Sequence, residues 1–262
     1  MGPWSSLVGF RHGVAAAWVR FPAVPLKRKE IFNIPREPLE RALDQIYDPA
    51  SCGIALLPQA FFPGQIQEIL QEINHNKHYL LPAKQKQGVA EQHFYKYYWG
   101  TAENGKNENF IFPLASHFAQ RYSEIMCPLL TARSLTQTEV NSIGIHIYPI
   151  SQTNGISPHR DLSSIQLVSS VVISGFAPFY TAKDHNLIQQ PQMFQPRSLS
   201  LLLMRGPRNE EERMRSNSKN ASYNHQEDLR PIHSVGRVEK ERTVLLLRHI
   251  SENLKSEKEV IK

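Results

Sequence analysis

From Glu139 onward the chain is a succession of short apolar, β-branched runs separated by turn residues, and no other feature constrains its fold as much. Residues 140–150, 165–173, 176–182, 198–204, 232–238 and 243–250 each have the length and composition of a strand. The texture before Glu139 differs. Residues 37–47 place Leu39, Leu43 and Ile46 on one helical face, and 63–74 do the same with Ile66, Ile69, Leu70 and Ile73. A third helix is predicted over about 112–132, and 54–57 reads as a short strand. Helices first and strands after predict an α+β chain, or a mainly β core with helices on one side.

Length sets the scale. At about 150 residues per domain, 262 residues suit one large domain with a sizeable core. No run approaches the ~18 apolar residues of a membrane span. Two cysteines, Cys52 and Cys127, exclude a disulfide scaffold or a cysteine-rich zinc module and predict a reducing, cytoplasmic setting. Charge is unevenly placed. Arg11, Arg20, Lys27, Arg28 and Lys29 supply five of the six net positive charges, and no acid precedes Glu30. Residues 1–29 therefore read as a basic tail, or as a transit peptide that would redirect the protein to mitochondria. Residues 30–262 are near neutral, so global charge does not argue for a nucleic-acid partner.

Two intervals interrupt the rhythm. Residues 206–230 are polar and charged, which suits a lid or a disordered insertion, with Arg205 or Arg208 able to meet an anionic substrate. The aromatic cluster Phe94, Tyr95, Tyr97, Tyr98 and Trp99 suits core or paired strands, or else a platform for a flat substrate. His75, His78 and His93 have no ligand spacing and read as surface residues.

The chemistry-bearing segment is Ser157-Pro158-His159-Arg160-Asp161. On an extended chain His159 and Asp161 leave the same face. An imidazole and a carboxylate so placed are two corners of a 2-His-1-carboxylate site for non-haem Fe(II), and the same set suits Zn. His233, 72 residues beyond Asp161 at the start of a late strand, is the candidate third ligand, with His225 its rival. Arg242 and Arg248 follow nine and fifteen residues after His233. Their spacing of six puts both on one face of a mostly apolar strand, and a charge facing a buried site needs an anionic partner. A dicarboxylate co-substrate would satisfy both.

His159-x-Asp161, a late-strand His233, then Arg242 and Arg248 together resemble the Fe(II)/2-oxoglutarate-dependent dioxygenases over roughly residues 139–250. Within that superfamily the pattern is similar to the AlkB-like branch. Residues 141–148 resemble the strand in which that branch holds an Asn and a Tyr beside 2-oxoglutarate. Tyr148 matches the tyrosine, and His146 stands where the Asn is expected. The nine-residue interval to Arg242 is nearer that of prolyl-hydroxylase-like relatives. The resemblance implies a double-stranded β-helix (jelly-roll) barrel with N-terminal supporting helices, forming one oxygenase domain over 30–262. It implies Fe(II) held by His159, Asp161 and His233. It also implies 2-oxoglutarate with its far carboxylate on Arg242 and Tyr148, and Arg248 near its metal-proximal end. Hydroxylation or oxidative demethylation with O2, coupled to decarboxylation of 2-oxoglutarate to succinate, is the implied reaction. A small molecule or amino acid is the favoured substrate, with alkylated nucleic acid the other class. A non-catalytic jelly-roll binding protein and a Zn hydrolase on the same ligands are the rival readings.

Overall fold

The computed structural model describes residues 30–83, 92–103, 110–151, 153–182, 191–217 and 228–251. Three helices precede the strand-rich part. Helix α1 (Arg36–Tyr47) buries Leu39, Leu43 and Ile46, as the spacing predicts. Helix α2 (Pro63–His75) begins on a proline, whose missing N–H is no loss at a helix start, and buries Ile66, Ile69 and Ile73. Helix α3 (Pro113–Thr131) also begins on proline, and its N-cap Phe112 supplies no side-chain acceptor. Glu72 of α2 fills that role, accepting the backbone N–H groups of Leu114 and Ala115 at 2.7 and 2.9 Å. Among the described residues no helix is long and apolar enough to cross a membrane.

The strands are β1 (Ile54–Leu57), β2 (Leu81–Pro82), β3 (Tyr95–Trp99), β4 (Ser142–Tyr148), β5 (Asn154–His159), β6 (Ile165–Phe176), β7 (Phe179–Ala182), β8 (Gln192–Phe194), β9 (Leu201–Arg205), β10 (Ile232–Arg237) and β11 (Lys240–Ile250). They form a seven-stranded sheet, β1-β9-β6-β11-β4-β3-β2, and a four-stranded sheet, β5-β10-β7-β8. Every pairing is antiparallel. From β4 onward the chain alternates between the two sheets except at the β7–β8 hairpin, which stays within the smaller one, and this is the connectivity of a jelly roll.

Both faces of the larger sheet are covered, and this explains its unbroken apolar runs. Ile143, Ile145, Ile147, Leu201, Leu203, Leu245 and Leu247 point to the helices, where Phe61, Phe118 and Tyr122 complete a core. Leu202, Met204 and Val244 point the other way, into the barrel with Tyr148, Ile156, Phe179 and Val235.

Of the interval 206–230, residues 206–217 and 228–230 are described. Helix α4 (Glu210–Asn217) occupies its first half. Glu212 takes the guanidinium of buried Arg205 at 2.8 Å and that of Arg208 at 2.9 Å. Both arginines that the sequence offers to a substrate are thus engaged by α4. Residues 218–227, with His225, lie outside the described residues, as does the tail 1–29.

Candidate metal centre

His159 ends β5, His233 is the second residue of β10, and the two are directly paired across the ladder. Asp161 lies two residues past the end of β5. The structure therefore brings the three predicted ligands together, each offering one ligand atom within 4.8 Å of the others. Asp161 Oδ1 is 4.0 Å from His159 Nε2, and Oδ2 is 3.8 Å from His233 Nε2. Those separations are too long for hydrogen bonds and of the size that one ion between the groups would bridge.

The opposite ring nitrogens are anchored. Nδ1 of His159 lies 2.9 Å from the Ser157 carbonyl, and Nδ1 of His233 lies 3.3 Å from the Pro231 carbonyl. A carbonyl only accepts, so each ring carries its proton on Nδ1 and turns the Nε2 lone pair to the cluster. Phe179 stacks on His233 with its ring centre 5.6 Å away. Burial pushes the His233 imidazole down to about 4, His159 adds to this, and Asp161 opposes it only in part. His233 is therefore neutral near pH 7, the form that binds a metal.

Behind Asp161 lies a cluster of three charged side chains. Arg230 and Arg160 both reach Asp228, at 2.8 and 3.6 Å. Burial raises the Asp228 carboxyl, but the hydrogen bonds and charges of its arginines hold it below its ordinary value.

Arg242 stands opposite Tyr148 across β11 and β4 and is buried, with 2% of its surface exposed. Its guanidinium carbon is 5.6 Å from the Tyr148 ring centre. Its Nε has no hydrogen-bond partner, and among the described residues no carboxylate pairs with it. Burial lowers its pKa, opposed only by the Tyr148 phenol. An orphaned buried guanidinium beside a tyrosine hydroxyl is what the far carboxylate of a dicarboxylate would complete, so these residues fit 2-oxoglutarate.

Arg248 is placed differently. It pairs with Glu103 at 2.6 Å, donates to Ser142 Oγ at 3.0 Å and stacks 4.2 Å above Tyr98. Tyr98 in turn hydrogen-bonds His146 Nε2, while His146 Nδ1 lies 3.2 Å from the Tyr148 hydroxyl. Phe94 packs on His146 at 4.3 Å. Burial, then the charges of Arg248, Lys96 and Arg242, push the His146 imidazole well below its ordinary value. A continuous polar chain, Arg248–Tyr98–His146–Tyr148, thus runs to the wall that carries Arg242. The sequence offers Tyr98 only as a member of the aromatic cluster and gives no sign of Glu103. The signal for His146 was its place in the 141–148 segment, where the resembled strand carries an Asn.

No family model matches the chain, and no curated protein matches it. Solved structures do. A prolyl hydroxylase from Trichoplax adhaerens, in complex with a hypoxia inducible factor oxygen degradation domain peptide fragment, is 12% identical, with a TM-score of 0.52, covering 86% of this chain and 94% of its own. Dioxygenase for auxin oxidation 1 from Arabidopsis thaliana, in a binary complex with 2-oxoglutarate, is 10% identical, with a TM-score of 0.50, covering 83% and 90%. JOX2 in complex with 2OG, Fe and JA is 11% identical, with a TM-score of 0.56, covering 84% and 75%. The chain shares the jelly-roll fold of these proteins, two of which were solved with 2-oxoglutarate bound.

Proposed function

We propose that residues 30–262 form one Fe(II)/2-oxoglutarate-dependent dioxygenase domain that hydroxylates or oxidatively demethylates its substrate. The observation that carries this reading is the pairing of the His159–Asp161–His233 cluster with a buried, anion-less Arg242. A zinc hydrolase would use the same three ligands but leaves that guanidinium without an anion. A merely structural barrel has no use for either group.

His159, Asp161 and His233 would hold Fe(II), and Arg242 with Tyr148 would hold the far carboxylate of 2-oxoglutarate. When bound, iron with the co-substrate and O2 supplies the oxidation: one oxygen atom enters succinate as CO2 leaves, and the other enters a substrate C–H bond. The chain's own contribution is placement. The Nδ1 bonds to Ser157 and Pro231 keep both imidazoles facing the ion. Neutral His146 holds the Tyr148 hydroxyl beside Arg242. Arg248 acts through Tyr98 and His146 on the co-substrate wall. Phe94, Phe179 and Val235 exclude water from the barrel interior.

For substrate we favour a small molecule or amino acid over alkylated nucleic acid. Residues 30–262 carry almost balanced charge, and Arg248, Arg205 and Arg230 are engaged by Glu103, Glu212 and Asp228, which leaves Arg242 to the co-substrate. Tyr148 supports an AlkB-like ancestry, His146 departs from that pattern, and the short interval to Arg242 is nearer prolyl-hydroxylase-like members. Cys52 and Cys127 are unpaired, in keeping with a cytoplasmic setting.

Anaerobic titration with Fe(II) and then 2-oxoglutarate tests the reading. A weak visible charge-transfer band is expected, lost in Asp161→Ala and needing more co-substrate in Arg242→Ala. No band with both in excess would sink the proposal.

A further inference from the structure

The strand ladder that pairs His159 with His233 stops short of the third ligand, because Asp161 lies past the end of β5. What holds Asp161 instead comes from the end of the polar interval. Arg230 grips Asp228 with two prongs, Nε to Oδ1 at 2.9 Å and Nη2 to Oδ2 at 2.8 Å. Its remaining arm, Nη1, donates to the main-chain carbonyl of Asp161 at 2.8 Å. Arg160 returns the contact, Nε donating to the Arg230 carbonyl at 2.9 Å. Residues 160 and 161 are therefore tied to residue 230 in both directions, three residues before His233. Side-chain exposures of 14–16% keep the cluster largely out of water, where a charge-assisted fork holds its geometry well.

Asp228 also balances the charge. Two guanidinium groups lie within one residue of the ligand carboxylate or bonded to its backbone. With Asp228 removed, Arg230 would be released to turn towards the Asp161 carboxylate itself and compete with a metal ion for it.

We propose that the Arg160–Asp228–Arg230 clasp is the positioning element of the metal centre, setting the spacing between the Asp161 carboxylate and His233 that a divalent ion requires. This rests on the reading of His159, Asp161 and His233 as metal ligands. None of the three clasp residues touches the ion; they act through the backbone of the ligand loop.

The test is Mn(II) binding to metal-free full-length protein, read from the spectrum of the free ion by electron paramagnetic resonance without co-substrate. Arg230→Ala and Asp228→Ala should each weaken binding about 10- to 100-fold, the usual effect of losing a group that orients a ligand. Arg230→Lys keeps a charge but cannot hold Asp228 and Asp161 together, so it should fall between these and the wild type. Arg208→Ala, on the same interval but away from the clasp, should leave binding unchanged. Circular dichroism and melting of the metal-free variants confirm folding. If Arg230→Ala fails to fold, Arg160→Gln decides, since it cuts one cross-tie and leaves the Arg230–Asp228 fork. Folded clasp variants that bind Mn(II) within about twofold of wild type, well short of the usual ligand-orienting effect, would overturn the clasp. A wild type that binds no Mn(II) would overturn the metal reading along with it.

Discussion

Arg242 and His249 show how much a single burial decides. Both lie on β11 and both are nearly sealed from water, yet they resolve the cost of burial in opposite ways. Arg242 keeps its charge and is left short of an anion; a bound carboxylate answers that. His249 gives up its charge. Burial pushes its imidazole from 6.5 down to about 4, opposed by the backbone at Thr138 and Glu139. Between those values the unfolded chain takes the proton and the native protein does not. Stability therefore falls as pH drops from about 6.5 to about 4 and is level above that window. The loss is on the order of 3 kcal/mol for such a group. His233 adds a loss of the same sign in metal-free protein. Urea unfolding of the metal-free chain between pH 4 and 7 should show this slope, shallower in His249→Gln. Parallel profiles for the two proteins would exclude His249 as its source.

Among the elements, the start of β11 is tightly fitted. Its pairing with β6 is irregular between Lys240 and Thr243, and Gly175 sits at that irregularity with φ +76°. A Cβ on Gly175 would lie 1.9 Å from the Glu241 carbonyl oxygen and 2.7 Å from the Arg242 Cα. Gly175→Ala should cost about 2 kcal/mol or more in urea unfolding, from the left-handed backbone and the clash together. An unchanged midpoint would mean that β11 can move aside there. The other strands differ in how legible they are. β4 and β11 announce themselves because covering both faces demands a continuous apolar run. β5 does not: residues 154–159 are Asn, Gly, Ile, Ser, Pro and His, and their partners lie on β10, far along the chain. β8 is hidden for another reason: it is three residues long with Gln192 and Met193 exposed, too short to show a pattern. The aromatic cluster was ambiguous between core and substrate platform because β3 serves both faces. Tyr97 and Trp99 join the helical core, while Phe94 and Tyr98 face the barrel. The ligand pair His159 and Asp161 could be read from local spacing, whereas Glu103 and the Asp228 clasp are joined only by tertiary contacts.

For the whole molecule, ligand binding and folding are linked, since an unfolded chain has neither the cluster nor the Arg242 wall. Mn(II) and 2-oxoglutarate at about a hundred times their dissociation constants should add about 2.7 kcal/mol each. For a chain of this size that raises the melting temperature by about 10 to 20 °C in total. A chelator should reverse the gain, and Asp161→Ala should show none of the metal's share. A melting temperature indifferent to both ligands would deny them a site in the folded state. The sheet order also has a consequence for how the protein is made. β11, last of the described strands in chain order, lies not at an edge but between β4 and β6. Until residues 240–250 leave the ribosome, the two neighbours that will flank them have no bridge, and each offers an apolar strand edge to any other chain nearby. The barrel cannot be completed from its N-terminus forward. Its assembly is gated by the final strand, and a nascent chain stalled before that point is the form most in need of a chaperone.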